Sequence, residues 1–202
     1  MIPRAGRWHL IESTRSLSPF GIDPLKVVDH ERNIFATATG LACLAALDNA
    51  DVLRLVRELE GDLEWGLHAV EIDEQTLLQE LEEIRSRGYA IRRKGYQARA
   101  ESHSNNAIAV SINEGHRPIG SINVWWPRRH LSATRFARLH LNTFQSTADL
   151  ISGSCETSLG RTYNRPMLAV SVLLSPDGVT AATTAFGPSR RKTMSAPMSA
   201  KR

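Results

Sequence analysis

The sequence predicts an α+β fold, a largely antiparallel sheet flanked by helices. Three observations predict it. Apolar residues recur at helical spacing in three stretches between Thr39 and Arg87. Residues Ala107–Asn113 then alternate strictly, and after Glu114-Gly115-His116-Arg117 the run Pro118–Trp125 returns as a second strand. Finally, Ser132 opens a long amphipathic stretch. A hairpin placed among helices, without regular strand–helix alternation, argues for antiparallel pairing.

Residues 7–14 (RWHLIEST) suit a short strand with Trp8 on one face, and 15–33 read as a loop punctuated by Ser18-Pro19, Gly21 and Asp23-Pro24. Leu41, Leu44, Ala45 and Leu47 then fall at helix spacing, with Thr37 or Thr39 placed to cap. Asp48 or Asn49 can cap a second helix carrying the Val52, Leu55, Val56, Leu59 stripe, and Gly61 stops it. Asp73 precedes a third, with Leu77, Leu78, Leu81 and Ile84 inward, and Gly88 suits its left-handed end. Tyr89 to Arg93 reads as extended. In the last helix, running to about Ser152, Phe136, Leu139, Phe144, Leu150 and Ile151 are expected inward. Beyond Gly153 the composition changes. Residues 167–186 suit a hairpin around Pro176-Asp177-Gly178, and the last sixteen or so suit a disordered tail. The expected division is thus a domain over 7–152 and an atypical tail over 153–202.

The chain has 202 residues, enough for one sizeable core, with 42% hydrophobic and 23% charged residues. Its pI of about 9.4 belongs to the tail, where seven Lys/Arg face two acids; the other residues are close to neutral. That distribution does not make a groove-sized basic stripe, and direct DNA binding by this chain alone is not expected. No apolar run approaches the ~20 residues of a membrane helix, and no secretory signal opens the chain. Reduced cysteines and a cytoplasmic location follow as expectations.

No nucleophilic triad, CxxC or helical histidine pair occurs, so no catalytic residue, metal or cofactor is assigned. Cys43 lies among Leu41, Ala42, Leu44 and Ala45, where a core thiol fits better than a nucleophile. The Arg92-Arg93-Lys94 run reads as a solvated edge. The informative feature is the second strand of the hairpin. If Ile122 and Val124 face one side, Ser121, Asn123 and Trp125 share the other. Such a face is either solvent-exposed or the wall of a small-molecule pocket, apolar with a few converging polar groups. Asn105 and Asn106 could add donors from the neighbouring strand. Across from them, Ala36-Thr37-Ala38-Thr39-Gly40 puts small residues at a helix start. The free amides of Ala38 and Thr39 there could hold a carboxylate, or form an ordinary cap.

The segments IESTRSLSP, FATATGLACLAAL, LLQELEEIRSRGYAIRR, AIAVSIN and PIGSINVWWP, in this order and ending in a long helix, resemble the effector-binding domain of IclR-type bacterial transcriptional regulators. The first segment looks closest to regulators of aromatic-acid catabolism. The resemblance covers about residues 7–152. It implies a GAF-like fold whose pocket binds a small carboxylate. The amides of Ala38 and Thr39 would hold the acid, and Asn106, Asn123 and Trp125 would complete the site. The family's lysine after the glycine is Leu41 here, and no acid stands near Arg92, so those two contacts are not carried over. Arg32 falls near an apolar family position and either pairs with the carboxylate or is solvated. Family members begin with a winged helix-turn-helix that is not seen before Trp8, so the expected chain is a truncated or standalone sensor. It would form a homo-oligomer and have no enzymatic activity. The competing expectations are an enzyme using Cys43 or a His103/His116 metal site, and a dimerising module without ligand.

Overall fold

The computed structural model describes residues 7–13, 31–93, 105–157 and 168–173, with side chains over 33–93 and 105–153. Strand β1 (Arg7–Ser13) and β2 (Glu31–Asn33) lead into helices α1 (Ala38–Ala45), α2 (Asn49–Glu58) and α3 (Glu74–Arg87). Strands β3 (Ala90–Ile91), β4 (Asn105–Glu114) and β5 (Arg117–Pro127), helix α4 (Ala133–Thr157) and β6 (Leu168–Leu173) follow. The α+β class is as predicted. The long loop after β1, His103, and the turn expected around Pro176-Asp177-Gly178 lie outside the described residues, as does the end of the tail.

The six strands run in the order β2-β1-β6-β5-β4-β3. Pairing is antiparallel at both ends of the sheet and parallel where β6 lies between β1 and β5. A strand from beyond residue 152 thus pairs with β5 over Gly120–Trp125. The hairpin is β4–β5, with Ala107 opposite Trp125, Ala109 opposite Asn123 and Ser111 opposite Ser121. Gly115 makes its turn at φ 58°, a left-handed value that suits glycine.

Most helix ends follow the capping chemistry read from the sequence, but Asp48, expected to cap α2, stands at its N-cap without a side-chain hydrogen bond. The Asp73 carboxylate accepts from the Thr76 amide at 2.8 Å, which holds that carboxyl below its usual range. Gly88 closes α3 in the left-handed conformation, φ 78°, with its amide on the Ile84 carbonyl. Ser132 caps α4 through the Arg135 amide.

The sheet separates two cores. On one face α4 packs Phe136, Phe144 and Ala148 against Ile108, Val110, Ile112, Ile122, Val124 and Trp126. On the other, α1, α2 and α3 bury Leu41, Leu44, Leu55, Leu77 and Leu81 with Ala107 and Ala109. Two residues expected inside α4 are not there: Leu139 is 59% and Leu150 is 72% exposed. At about 100° per residue, Ala137, Phe144 and Ala148 cluster on one side of the helix with Phe136 at its edge, and Leu139 and Leu150 project roughly 120° away from the centre of that group.

Candidate functional site

Two local structures meet on the α1 face of the sheet. The first is the start of α1. Asn33 is 1% exposed and forms a closed turn. Its side-chain oxygen accepts from the Phe35 amide at 2.8 Å, and its amide group donates to the Glu64 carbonyl at 3.2 Å. Its own carbonyl accepts from the amides of Ala36 and Thr37 and from the Thr37 hydroxyl. Thr37 then caps α1, accepting from the Gly40 amide at 3.1 Å. A side chain at Gly40 would put its Cβ 2.1 Å from the Ile34 carbonyl oxygen, so the close approach demands glycine. The Thr39 hydroxyl donates to that of Thr37. The amides of Ala38 and Thr39 find no acceptor among the described residues. Ala38 is 3% exposed and Thr39 is half-buried, and the positive end of the helix dipole adds to these two donors.

The second is the strand face. Ser121, Asn123 and Trp125 do lie on the side of α1, opposite the Ile122 and Val124 side chains that face α4. Ser121 is completely buried, and its hydroxyl oxygen has no well-formed hydrogen bond, only the Cys43 thiol close beside it. The Cys43 thiol beside it donates instead to the Gly120 carbonyl at 3.0 Å. Burial pushes the Cys43 pKa far above the ordinary thiol value, more than the neighbouring Ser121 hydroxyl lowers it. Cys43 is therefore an inert core thiol, as its apolar neighbours indicated. Trp125 is half-buried and packs on the helical core.

Helix α1 crosses this face of the sheet from β3 to β5. Its middle lies over Gly120 and Ser121 through Cys43. Its start lies at the β3 edge of the sheet: the Arg93 amide donates to the Ala36 carbonyl and the neighbouring Arg92 amide to Ala107 of β4, while Trp125 pairs with Ala107 from the other side, so β4 stands between the α1 start and Trp125.

Arg93 holds that end in place. Its guanidinium donates to the Phe35 carbonyl at 3.3 Å and forms an ion pair with Glu80 of α3. Its side chain is 15% exposed, so it is not the solvated edge that the Arg92-Arg93-Lys94 run suggested. Burial keeps the Glu80 carboxyl above its usual range, outweighing the Arg93 charge.

Two expected site residues stand apart. Asn106 is opposite Trp126 in the register, and its side chain donates to the Leu131 carbonyl at 2.8 Å on the α4 side. The Trp126 indole donates to the same carbonyl at 2.7 Å. Period-two alternation from Ile108 forces this, and Asn106 is not part of the α1-face group. Arg32 pairs with Trp8 in β2, and its side chain lies outside the described residues. Asn33, Glu80 and Arg93 were missed. Asn33 had a readable signal, an Asx turn two residues before Phe35 at the mouth of a small-residue run. The Arg93–Glu80 pair had none, because its partners meet only when the chain reverses at Gly88.

Among the described residues, no group of three His, Cys, Asp or Glu side chains could hold a metal ion. No helix there is long and apolar enough to cross a membrane.

No protein-family profile and no curated protein matches the sequence. Solved structures do match its shape. A transcriptional regulator from Rhodococcus sp. RHA1 superposes with a TM-score of 0.51 at 14% identity, covering 71% of this chain and 54% of that one. Thermotoga maritima IclR gives 0.51 at 16% identity, covering 67% and 52%. The C-terminal domain of the E. coli regulator KdgR gives 0.47 at 20% identity, covering 62% and 73%. The chain spans about half the length of the first two regulators. Its α+β fold is thus similar to part of these regulators, Thermotoga maritima IclR among them.

Proposed function

We propose that this chain is the small-molecule sensing part of an IclR-type transcriptional regulator, and that it binds an organic carboxylate on the α1 face of the sheet. One observation carries this reading. Two acceptor-free amides, those of Ala38 and Thr39, start a helix on the same side of the sheet as Ser121, Asn123 and Trp125. Donors at a helix start have no intrahelical acceptor, and an anionic guest supplies one. A carboxylate suits two adjacent amides at a helix start. Ser121, buried and without a well-formed hydrogen bond, supplies a further polar contact, and Trp125 a flat apolar wall for an aromatic or short-chain body. Arg32 is a second candidate for the acid group.

The mechanism is a population shift. The ligand favours the arrangement of the domain in which the α1 start and the β5 face close on it, and can shift the equilibrium only by its difference in affinity between arrangements. In a complete regulator that bias would pass to paired DNA-binding domains on an operator. The chain itself would act in the cytoplasm as a homo-oligomer, without catalysis and without specific DNA binding of its own.

Tryptophan fluorescence titrated with a panel of aromatic and short-chain carboxylates tests the site. Saturable quenching with a rise in melting temperature is expected for at least one member. No response in either signal across the panel removes the proposal, and sequence-specific retention of DNA in a gel shift at physiological salt would contradict the assignment of DNA binding elsewhere.

A further inference from the structure

The near-neutral charge of the chain before its tail hides a strong local division. Residues 48–88, which contain α2 and α3, carry twelve acids against four arginines. Residues 128–138, the turn from β5 into α4 and the first turns of that helix, carry Arg128, Arg129, Arg135 and Arg138 and no acid. All four arginines are exposed, and none forms an ion pair with a described residue. Like charges this close repel one another until a counter-charge reaches them. The turn is nevertheless held in a fixed place. Its Leu131 carbonyl accepts from the Asn106 side chain and the Trp126 indole, and the Arg128 Nε donates to the Asn105 carbonyl at 3.3 Å. The Arg92 guanidinium donates to that same carbonyl at 3.1 Å, which brings a fifth arginine to this end of the sheet. Ser132 then caps α4 through the Arg135 amide, and the positive end of the helix dipole adds to the arginines.

We propose that this turn and helix start form a docking surface for the phosphate backbone of duplex DNA, touching it without reading its sequence. Charge sets the sign of the partner. The choice between a phosphate backbone and an acidic protein follows from what else is exposed. Protein interfaces centre on aromatic or aliphatic anchors. Between residues 128 and 135 no large apolar side chain is exposed, and Trp126 and Phe136 on either side are turned into the core. Phosphate contacts need only charge and donors, and the guanidinium fork matches two phosphate oxygens. The exposed Ser132 and Thr134 hydroxyls between the arginines are further donors of the kind that meet backbone phosphates. Such contacts fix position on a duplex and carry no sequence information. In a regulator seated on an operator they would hold the sensing domain against flanking DNA. Alone, this chain would bind any duplex weakly and release it as salt rises. The contact needs no bound carboxylate, so a failed carboxylate titration leaves it standing, and a failed duplex titration leaves the carboxylate site standing.

Fluorescence anisotropy of a labelled duplex of arbitrary sequence, titrated with the full chain at several salt concentrations, tests the surface. Four neutralised phosphates predict a slope of log affinity against log salt of about −3.6, to which the basic residues of the tail add. Arg128→Gln with Arg129→Gln, and Arg135→Gln with Arg138→Gln, should each make the slope shallower by about two and weaken binding at about 50 mM salt by roughly tenfold or more. Lysine at the same four positions should keep the slope, because the charge is kept. All four side chains are exposed, so the variants should melt with the wild type. Two unrelated duplexes should bind alike, and a marked preference between them would overturn a backbone-only contact. Absence of duplex binding at about 50 mM salt overturns the proposal. So does a wild-type slope in the variant lacking all four arginines, which would assign the binding to the tail. A glutamate-rich peptide that displaces the duplex at equal charge, and is itself lost in the same variants, would show that the surface takes an acidic protein instead.

Discussion

On its α4 side, the β4–β5 hairpin presents Ile108, Val110, Ile122 and Val124, with the Trp126 ring stacked 4.3 Å from that of Phe136. On its α1 side the same two strands present Ala107, Ala109, Ser121, Asn123 and Trp125. The polar groups at the edge of the α4 side are satisfied, since Asn106 and Trp126 both donate to the Leu131 carbonyl. On the α1 side, two helix amides and the Ser121 hydroxyl are not, and the buried Asn113 side-chain oxygen at the end of β4 also lacks a partner. The first face is filled as a core is filled. The second keeps small and polar groups where larger apolar ones would stabilise the fold more, which is the usual signature of a site retained for binding.

Substitutions should therefore act differently on the two faces. Phe136→Ala, at a residue 1% exposed and stacked on Trp126, should lower stability by about 3–5 kcal/mol in urea denaturation. Its effect on carboxylate binding should come only through unfolding. Gly40→Ala would place its Cβ 2.1 Å from the Ile34 carbonyl oxygen, so the backbone must shift; it should cost about 2–3 kcal/mol and displace the α1 start, and binding should fall even in the folded fraction.

Arg93→Leu should cost about 2 kcal/mol at neutral pH, less than a fully buried pair because both partners keep some exposure to water. Its pH dependence has a definite sign. The Glu80 pKa is already raised by burial, and losing Arg93 raises it further. A carboxyl raised in the folded state contributes stability when protonated and loses it as pH rises through the folded value. The deficit of Arg93→Leu should thus shrink on acidification toward about pH 5, as urea midpoints at the two pH values would reveal. A deficit that stays constant or grows instead would show that the charge of Glu80 is not what Arg93 stabilises. The smallest effect is expected for Ser121→Ala. It should leave the ligand-free protein unchanged or stabilise it by up to about 1 kcal/mol, while weakening carboxylate binding. A clear loss of stability would mean that the hydroxyl is structurally engaged.

Much of this was readable before folding. The caps at Thr37, Asp73 and Ser132 and the left-handed stop at Gly88 follow from local backbone chemistry, as does the alternation of β4 and β5. The grouping of Ser121, Asn123 and Trp125 on one face was read from period two alone. The failures share a cause. Asn106 was grouped by nearness in sequence, although the same period two sends it to the α4 side. Leu139 and Leu150 were put inside because they are apolar, although the phase set by Phe136 and Phe144 points them outward. The Arg93–Glu80 pair and the insertion of β6 between β1 and β5 are long-range choices that no local pattern encodes.

Removing one donor tests the central claim most directly. Ala38 is the first residue of α1, and Thr37 before it is extended at ψ 150°, so proline at 38 keeps the backbone while deleting the Ala38 N–H. The wild-type protein should melt several degrees higher in a carboxylate at about 100 times its Kd, where binding adds roughly 2.7 kcal/mol. Ala38→Pro should melt near the ligand-free wild type and lose most of that shift. An equal shift in both proteins would put the acid group somewhere other than the start of α1.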